Sequence, residues 1–261
     1  MFEPRVALAS LSGEADASWA DNSAEYVGAA FLGGIALDGP TREAARSMVD
    51  RDRTEFLPSD PVAFIDDQLS ALADVSIRPG YNVRTTTLGP LREAAAVCAD
   101  HDALLEINAH CRQDEMCAAG AGQSLLANSE TLCEQVGAAA ETGTTVSVKV
   151  RTEVSAVDLP AVAAAAEDAG ADVIHVDAMD SESVVADVVD ATDAFVVANN
   201  GVRDEQTVRE YLEYGADAVS VGRPSDDPVV LSRVGNATTA YFDGSKSSVQ
   251  STASHRQESD S

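Results

Sequence analysis

Short apolar runs rich in β-forming residues recur along the chain: Val6–Ser10, Tyr26–Leu32, Tyr81–Thr87, Leu104–Asn108, Val146–Val150, Val173–Val176, Phe195–Ala198 and Ala218–Val221. Each is followed by an Ala-rich segment of helical pattern with acidic residues on its polar side. The runs are nearly continuous in apolar residues rather than alternating, as befits strands covered on both faces. Eight such strands alternating with helices predict a parallel sheet closed into a (β/α)8 barrel. Two turns share one phrase, Ala169-Gly170-Ala171-Asp172 and Tyr214-Gly215-Ala216-Asp217, in which a glycine ends a helix and a strand begins at once. An open doubly wound sheet is the alternative, but no G-x-G-x-x-G follows the first strand to support a dinucleotide-binding version.

The stretch 38–80 is long and helical in pattern, suited to an inserted helix pair or a lid. From Asn236 the sequence turns polar and Ser-rich with no periodic apolar face, which predicts a disordered tail over 236–261 behind a barrel domain of 1–235. The start, MFEPRVALAS, has no basic leader, and the longest apolar stretch, Val27–Leu37, contains three glycines. No membrane span is expected, and the chain reads as cytoplasmic.

Charge changes the picture. Seventeen Lys+Arg stand against 44 Asp+Glu, a formal net charge of −27. Such a surface repels itself in dilute salt, but at about 1 M salt the screening length falls to about 3 Å, so the balance predicts a halophilic protein. It excludes a basic groove of the kind that grips DNA. RNA binding stays open, because counterion release contributes little at molar salt. The four cysteines, Cys98, Cys111, Cys117 and Cys133, do not suggest a secreted disulfide framework.

In a (β/α)8 barrel the chemistry sits at the C-terminal ends of the strands, and these ends are polar here. Lys149 lies inside the fifth strand of a chain with only one other lysine, Lys246. A compact ammonium at the barrel mouth suits an anionic ring or a Schiff base, or else a buried carboxylate such as Glu106. Asn199-Asn200-Gly201 after the seventh strand and Gly222-Arg223 after the eighth stand where barrels hold a phosphate. Cys111, beside His110 and Arg112, is a candidate acid or nucleophile, because neighbouring positive charge lowers a thiol pKa.

Glu106 to Leu126, EINAHCRQDEMCAAGAGQSLL, resembles the tRNA-dihydrouridine synthases and related FMN-linked barrel oxidoreductases, whose fourth strand reads I-N-x-G-C-P and is followed by G-A-G-x-x-L-L. Val148-Lys149-Val150-Arg151-Thr152 looks like that family's V-K-x-R-T, Ala198-Asn199-Asn200-Gly201 its G-N-G-D turn, and Gly215-Ala216-Asp217 through Gly222-Arg223 its G-A-D-x-x-x-x-G-R. Ala9, Ser10 and Leu11 stand where the family has A-P-M-A-G against the flavin. The resemblance implies FMN across the mouth with Lys149 near the isoalloxazine, Asn199, Asn200, Gly201, Gly222 and Arg223 toward the phosphate, and NAD(P)H as reductant. Cys111 would protonate C5 of a uracil while hydride reaches C6, and Asn108 would hold the base. Arg112 and Arg151 would face the substrate, tRNA or a small pyrimidine.

The chain also departs from that pattern. His110 and Arg112 replace the Gly and Pro flanking the family cysteine, Arg84 replaces a flavin-contacting Gln on the third strand, and Asp177-Ala178-Met179 replaces His-Gly-Arg after the sixth. The family's usual C-terminal helical tRNA-binding domain has only the Ser-rich tail in its place. Two other functions fit the strand ends: a phosphate-binding aldolase or lyase with a Schiff base on Lys149, and a barrel that binds FMN or RNA without turnover.

Overall fold

The computed structural model describes residues 1–257. Eight parallel strands, β1 (Val6–Leu8), β2 (Ala29–Ala36), β3 (Arg78–Arg84), β4 (Leu104–Asn108), β5 (Thr145–Arg151), β6 (Val173–Asp177), β7 (Phe195–Asn199) and β8 (Ala218–Val221), pair in chain order, and β8 closes onto β1. The protein is a (β/α)8 barrel. Its helices are α1 (Ala17–Asp21), α2 (Gly39–Val49), α3 (Pro61–Ser70), α4 (Leu88–Asp100), α5 (Asp114–Ala118), α6 (Ser129–Ala140), α7 (Leu159–Asp168), α8 (Val184–Ala191), α9 (Glu205–Glu213) and α10 (Pro228–Gln257). None is long and apolar enough to cross a membrane.

Strand side chains alternate between the helix layer and the barrel interior. The N-terminal half of the interior is apolar, built from Ala7, Ala29, Phe31, Leu104, Val173, Val197 and Ala218 with Phe2 packed against them. The C-terminal half is polar. Register sets Asn108 beside Lys149 and Lys149 beside His175, and above them Arg151 beside Asp177, Asp177 beside Asn199 and Asn199 beside Ser220.

The segment between β2 and β3 holds the expected helix pair. Asp38 caps α2 with a reciprocal Thr41 contact, and its Oδ2 accepts from the Thr86 amide (2.6 Å) and from the hydroxyls of Thr85, Thr86 and Thr87. The carboxylate thereby ties α2 to the loop leaving β3. Burial opposes its charge most strongly, but these donors prevail and hold its pKa at about 2.

The C-terminus differs from expectation. α10 runs through Asn236, where composition suggested a tail, as far as Gln257, and residues 258–261 lie outside the described residues. Leu231, Val234, Thr238 and Tyr241 follow helical spacing; the first three are buried, and the Tyr241 hydroxyl donates to the Leu212 carbonyl (3.0 Å). The Arg5 guanidinium stacks 4.5 Å from the Phe242 ring. The apolar stripe is narrow enough for the Ser and Thr residues around it to mask it.

Candidate active site at the barrel mouth

A cleft of about 450 Å³ opens over the C-terminal ends of β5 to β8 and β1. Ala9, Ser10 and Leu11 form one wall, Asn199 to Arg203 and Gly222 to Pro224 another, and Lys149, Asp177, Met179 and His110 complete it. The cofactor-binding set expected from sequence is therefore brought together, with one exception. Arg84 does not line the cleft: its guanidinium is buried against Glu55 (2.6 Å) and the Ser12 hydroxyl.

Lys149 is 2% exposed. Burial pulls its pKa down, while Glu106 and Asp177 favour the charged form. Lys149 thus lines the cleft and has the buried Glu106 carboxylate as a favourable neighbour.

Glu106 anchors the polar half of the barrel. Its carboxylate accepts from Asn82 Nδ2 (2.7 Å), the Ser147 hydroxyl (3.2 Å) and His175 Nδ1 (2.6 Å), and His175 Nε2 in turn accepts from the Ser220 hydroxyl (2.7 Å). Burial disfavours the Glu106 anion most, but His175, Lys149 and Asn82 outweigh it and keep the carboxyl below its usual range. His175 is held neutral, chiefly by burial and then by Lys149. Ser220, His175 and Glu106 have the connectivity of a nucleophilic triad, yet all three side chains are sealed from solvent, so the line is electrostatic rather than nucleophilic. Sequence reasoning assigned no role to Asn82, Ser147, His175 or Ser220. Their signal was polar residues two apart on otherwise apolar strands, as in Ser147/Lys149/Arg151 and His175/Asp177.

The loop after β4 is tied back to the barrel by Asn108. Asn108 is buried, with Nδ2 donating to Asn82 Oδ1 (2.8 Å) and Oδ1 accepting from the Cys111 amide (3.0 Å), so its side chain holds the loop. Cys111 is half-buried and packs against the Ala44, Met48, Met116 and Ala121 cluster between α2 and α5, and its carbonyl accepts from the Gln123 amide (2.9 Å). His110 lines the cleft. Arg151 is buried at the end of β5, and Arg112 is exposed on the loop.

After β7, Asn200 has φ +96° and Gly201 φ +68°. The Asn200 conformation is unusual for a non-glycine residue. It is held by Asn200 Nδ2 donating to Asp177 Oδ1 (2.8 Å) and by the Tyr211 hydroxyl donating to the Asn200 carbonyl (2.9 Å). A Cβ added at Gly201 or Gly222 would meet no atom within 4 Å, so both glycines leave backbone open to a ligand.

Residues 85–258 match the family model for dihydrouridine synthase (Dus). The chain belongs to the dihydrouridine synthase family. The matched region runs from the end of β3 through β8 and so contains Lys149, the β4 loop and both glycine turns. Uncharacterized protein MJ0144 of Methanocaldococcus jannaschii is similar at 26% identity over 234 residues, 85% of this chain and 89% of that one. Among solved structures, the M276A mutant of FabK from Thermotoga maritima is similar with a TM-score of 0.57 and 15% identity over 85% of this chain, which spans 61% of that protein's length. Morphinone reductase in complex with tetrahydroNAD is similar with a TM-score of 0.61 and 12% identity, over 88% of this chain and 86% of that one. A putative lyase/mutase from Burkholderia cenocepacia is similar with a TM-score of 0.56 and 15% identity, over 95% and 85%. At these identities the structural likenesses are likenesses of fold.

Proposed function

We propose that this protein is an FMN-dependent oxidoreductase that reduces the C5–C6 double bond of a uracil-like base, with uridine in tRNA as the substrate class its family favours. The observation that carries the reading is Lys149, a nearly buried ammonium at a cleft whose far wall bears two open glycines and the exposed Arg223. That donor set fits FMN: a cation for the electron-poor ring at one end, backbone and guanidinium for a phosphate at the other. The volume lies within the roughly 300–1,000 Å³ of small-ligand sites.

When bound, FMN supplies the hydride that reaches C6, having received it from a reductant such as NAD(P)H. The chain's residues do the rest. Lys149 stabilises negative charge at a ring carbonyl, and the Glu106 and Asp177 carboxylates favour its charged form against burial. Cys111, three residues beyond the end of β4 and next to His110 of the cleft wall, donates the proton that completes C5. Arg112 and Arg223 form no ion pair with the described residues and offer cations to a polyanionic substrate on an otherwise acidic body.

The test is absorbance. Protein purified in molar salt should be yellow, with flavin bands near ~450 nm that are lost in Lys149→Ala and Arg223→Ala. A colourless protein that cannot be loaded with FMN overturns the reading, and borohydride trapping of a carbonyl compound on Lys149 would assign a Schiff-base lyase instead. For the substrate, deletion of the gene should remove dihydrouridine from cellular tRNA.

A further inference from the structure

The tautomer of His110 is dictated from inside the barrel. An ionised carboxylate only accepts hydrogen bonds, so Asn82 must present Nδ2 to Glu106 (2.7 Å), which leaves Asn82 Oδ1 as an acceptor. Asn108 must therefore turn its own Nδ2 to that oxygen (2.8 Å), leaving its Oδ1 to face the loop. There it accepts from the backbone amides of His110 (3.3 Å) and Cys111 (3.0 Å), and His110 Nδ1 lies 3.2 Å away. An amide oxygen cannot donate, so His110 carries its proton on Nδ1. Burial, followed by the positive charge of Lys149, Arg84 and Arg151, holds the ring's pKa well below its usual value and keeps it neutral. Nε2 is thus a bare acceptor. It has no hydrogen-bond partner among the described residues, and the ring lines the cleft beside Lys149.

We propose that His110 Nε2 accepts the N–H of a cyclic imide bound in the cleft, making His110 the residue that selects rings of the uracil type. An acceptor beside the Lys149 donor complements an N–H flanked by a carbonyl. It opposes a ring nitrogen bearing a lone pair, as in cytosine, where two acceptors would meet. The assignment rests on the proposed reading of the cleft as an FMN and uracil site. Both rings contain the same imide group, so the chemistry is shared and the source is decided by experiment.

The first measurement needs no ligand. Two-bond proton–nitrogen spectra of ¹⁵N-histidine-labelled protein should show His110 protonated on Nδ1; an Nε2–H tautomer, or a ring that becomes imidazolium around its ordinary pKa, overturns the assignment.

The second compares two pairs of probes: FMN against N3-methyl-FMN, and, on flavin-loaded protein, uridine monophosphate against its N3-methyl derivative. In one pair the methylated compound should bind about tenfold or more weakly, the worth of a buried hydrogen bond. The difference should shrink below about threefold in His110→Ala, whose fold is verified by circular dichroism, and be partly restored in His110→Gln, which keeps a polar side chain. The discriminating pair names the ring that His110 reads. Equal binding within both pairs, or discrimination unchanged in His110→Ala, overturns the assignment. Failure of FMN alone to bind removes the flavin reading, and the uridine pair, then compared on the flavin-free protein, still decides His110; failure of every probe removes both.

Discussion

His175 Nδ1 lies 2.6 Å from Glu106 Oε2 in the middle of the barrel, and neither side chain is exposed to solvent. The carboxylate is the buried counter-charge for Lys149 and the acceptor on which Asn82, Ser147 and His175 converge. Glu106→Gln removes that charge and leaves Lys149 with Asp177 as its remaining favourable carboxylate. The expected cost is about 3 kcal/mol, the scale for breaking a buried pair from one side, read as a lowered denaturant midpoint. Flavin retention should fall in the same variant. A Glu106→Gln protein as stable as the parent would show that the network holds nothing together.

His110 and His175 are both kept neutral by burial and nearby cations, so their folded pKa values lie below the unfolded one. The unfolded chain then binds more protons, and the stability these residues contribute is present above the unfolded histidine pKa of about 6.5 and is lost as pH falls below it. Each adds a slope of up to about 1.4 kcal/mol per pH unit in that window. Urea unfolding at stepped pH should show the slope, and His175→Asn should reduce it.

Asp38 behaves in the same direction lower down the scale. Its pKa falls from 3.8 to about 2, so its contribution of about 2 kcal/mol is present above pH 4 and fades as pH drops through 2. Asp38→Ala should destabilise the protein at neutral pH by a similar amount and loosen α2, seen as faster hydrogen exchange over Gly39–Val49.

The cysteines should separate by reactivity. Cys98 is buried on α4, and burial pushes its thiol up to about 12, so native protein should not be alkylated there. Cys111, Cys117 and Cys133 are half-buried and should label first. If Cys111 supplies the proton at C5, Cys111→Ala should lower turnover by about 10²-fold or more while leaving bound flavin in place.

The net charge of −27 predicts a stability that grows with salt. Raising salt from about 0.1 M to about 1 M shortens the screening length from about 10 Å to about 3 Å and should raise the unfolding temperature measured by calorimetry. A salt-independent transition would remove the halophilic reading.

The barrel was legible because its strands are short, apolar and bounded by turns. β4 and β8 begin and end where the residues indicate, since Asp102 and Asp217 stop the apolar runs on one side. β2 was placed too early, because the apolar run starts at Tyr26 while pairing starts at Ala29 and continues through Gly33 and Gly34, residues that carry no strand signal. α10 was hidden by polar composition. The cleft walls were legible from position alone: residues at strand ends face the mouth. The loop after β4 was not, because spacing says nothing about which of the loop's side chains lines the cleft. That choice is made by the Asn108 oxygen, which is itself oriented by Asn82 and Glu106.

The same chain of amides restricts how this sequence can change. Gly34 has no room for a Cβ, which would sit 2.5 Å from Asn82 Oδ1. Replacing Asn82, Glu106, Asn108, His175 or Ser220 singly strands a buried partner, at about 1–3 kcal/mol each. A single change at any of these five positions therefore carries its own stability cost, which only a coordinated exchange for another self-consistent set of donors and acceptors avoids.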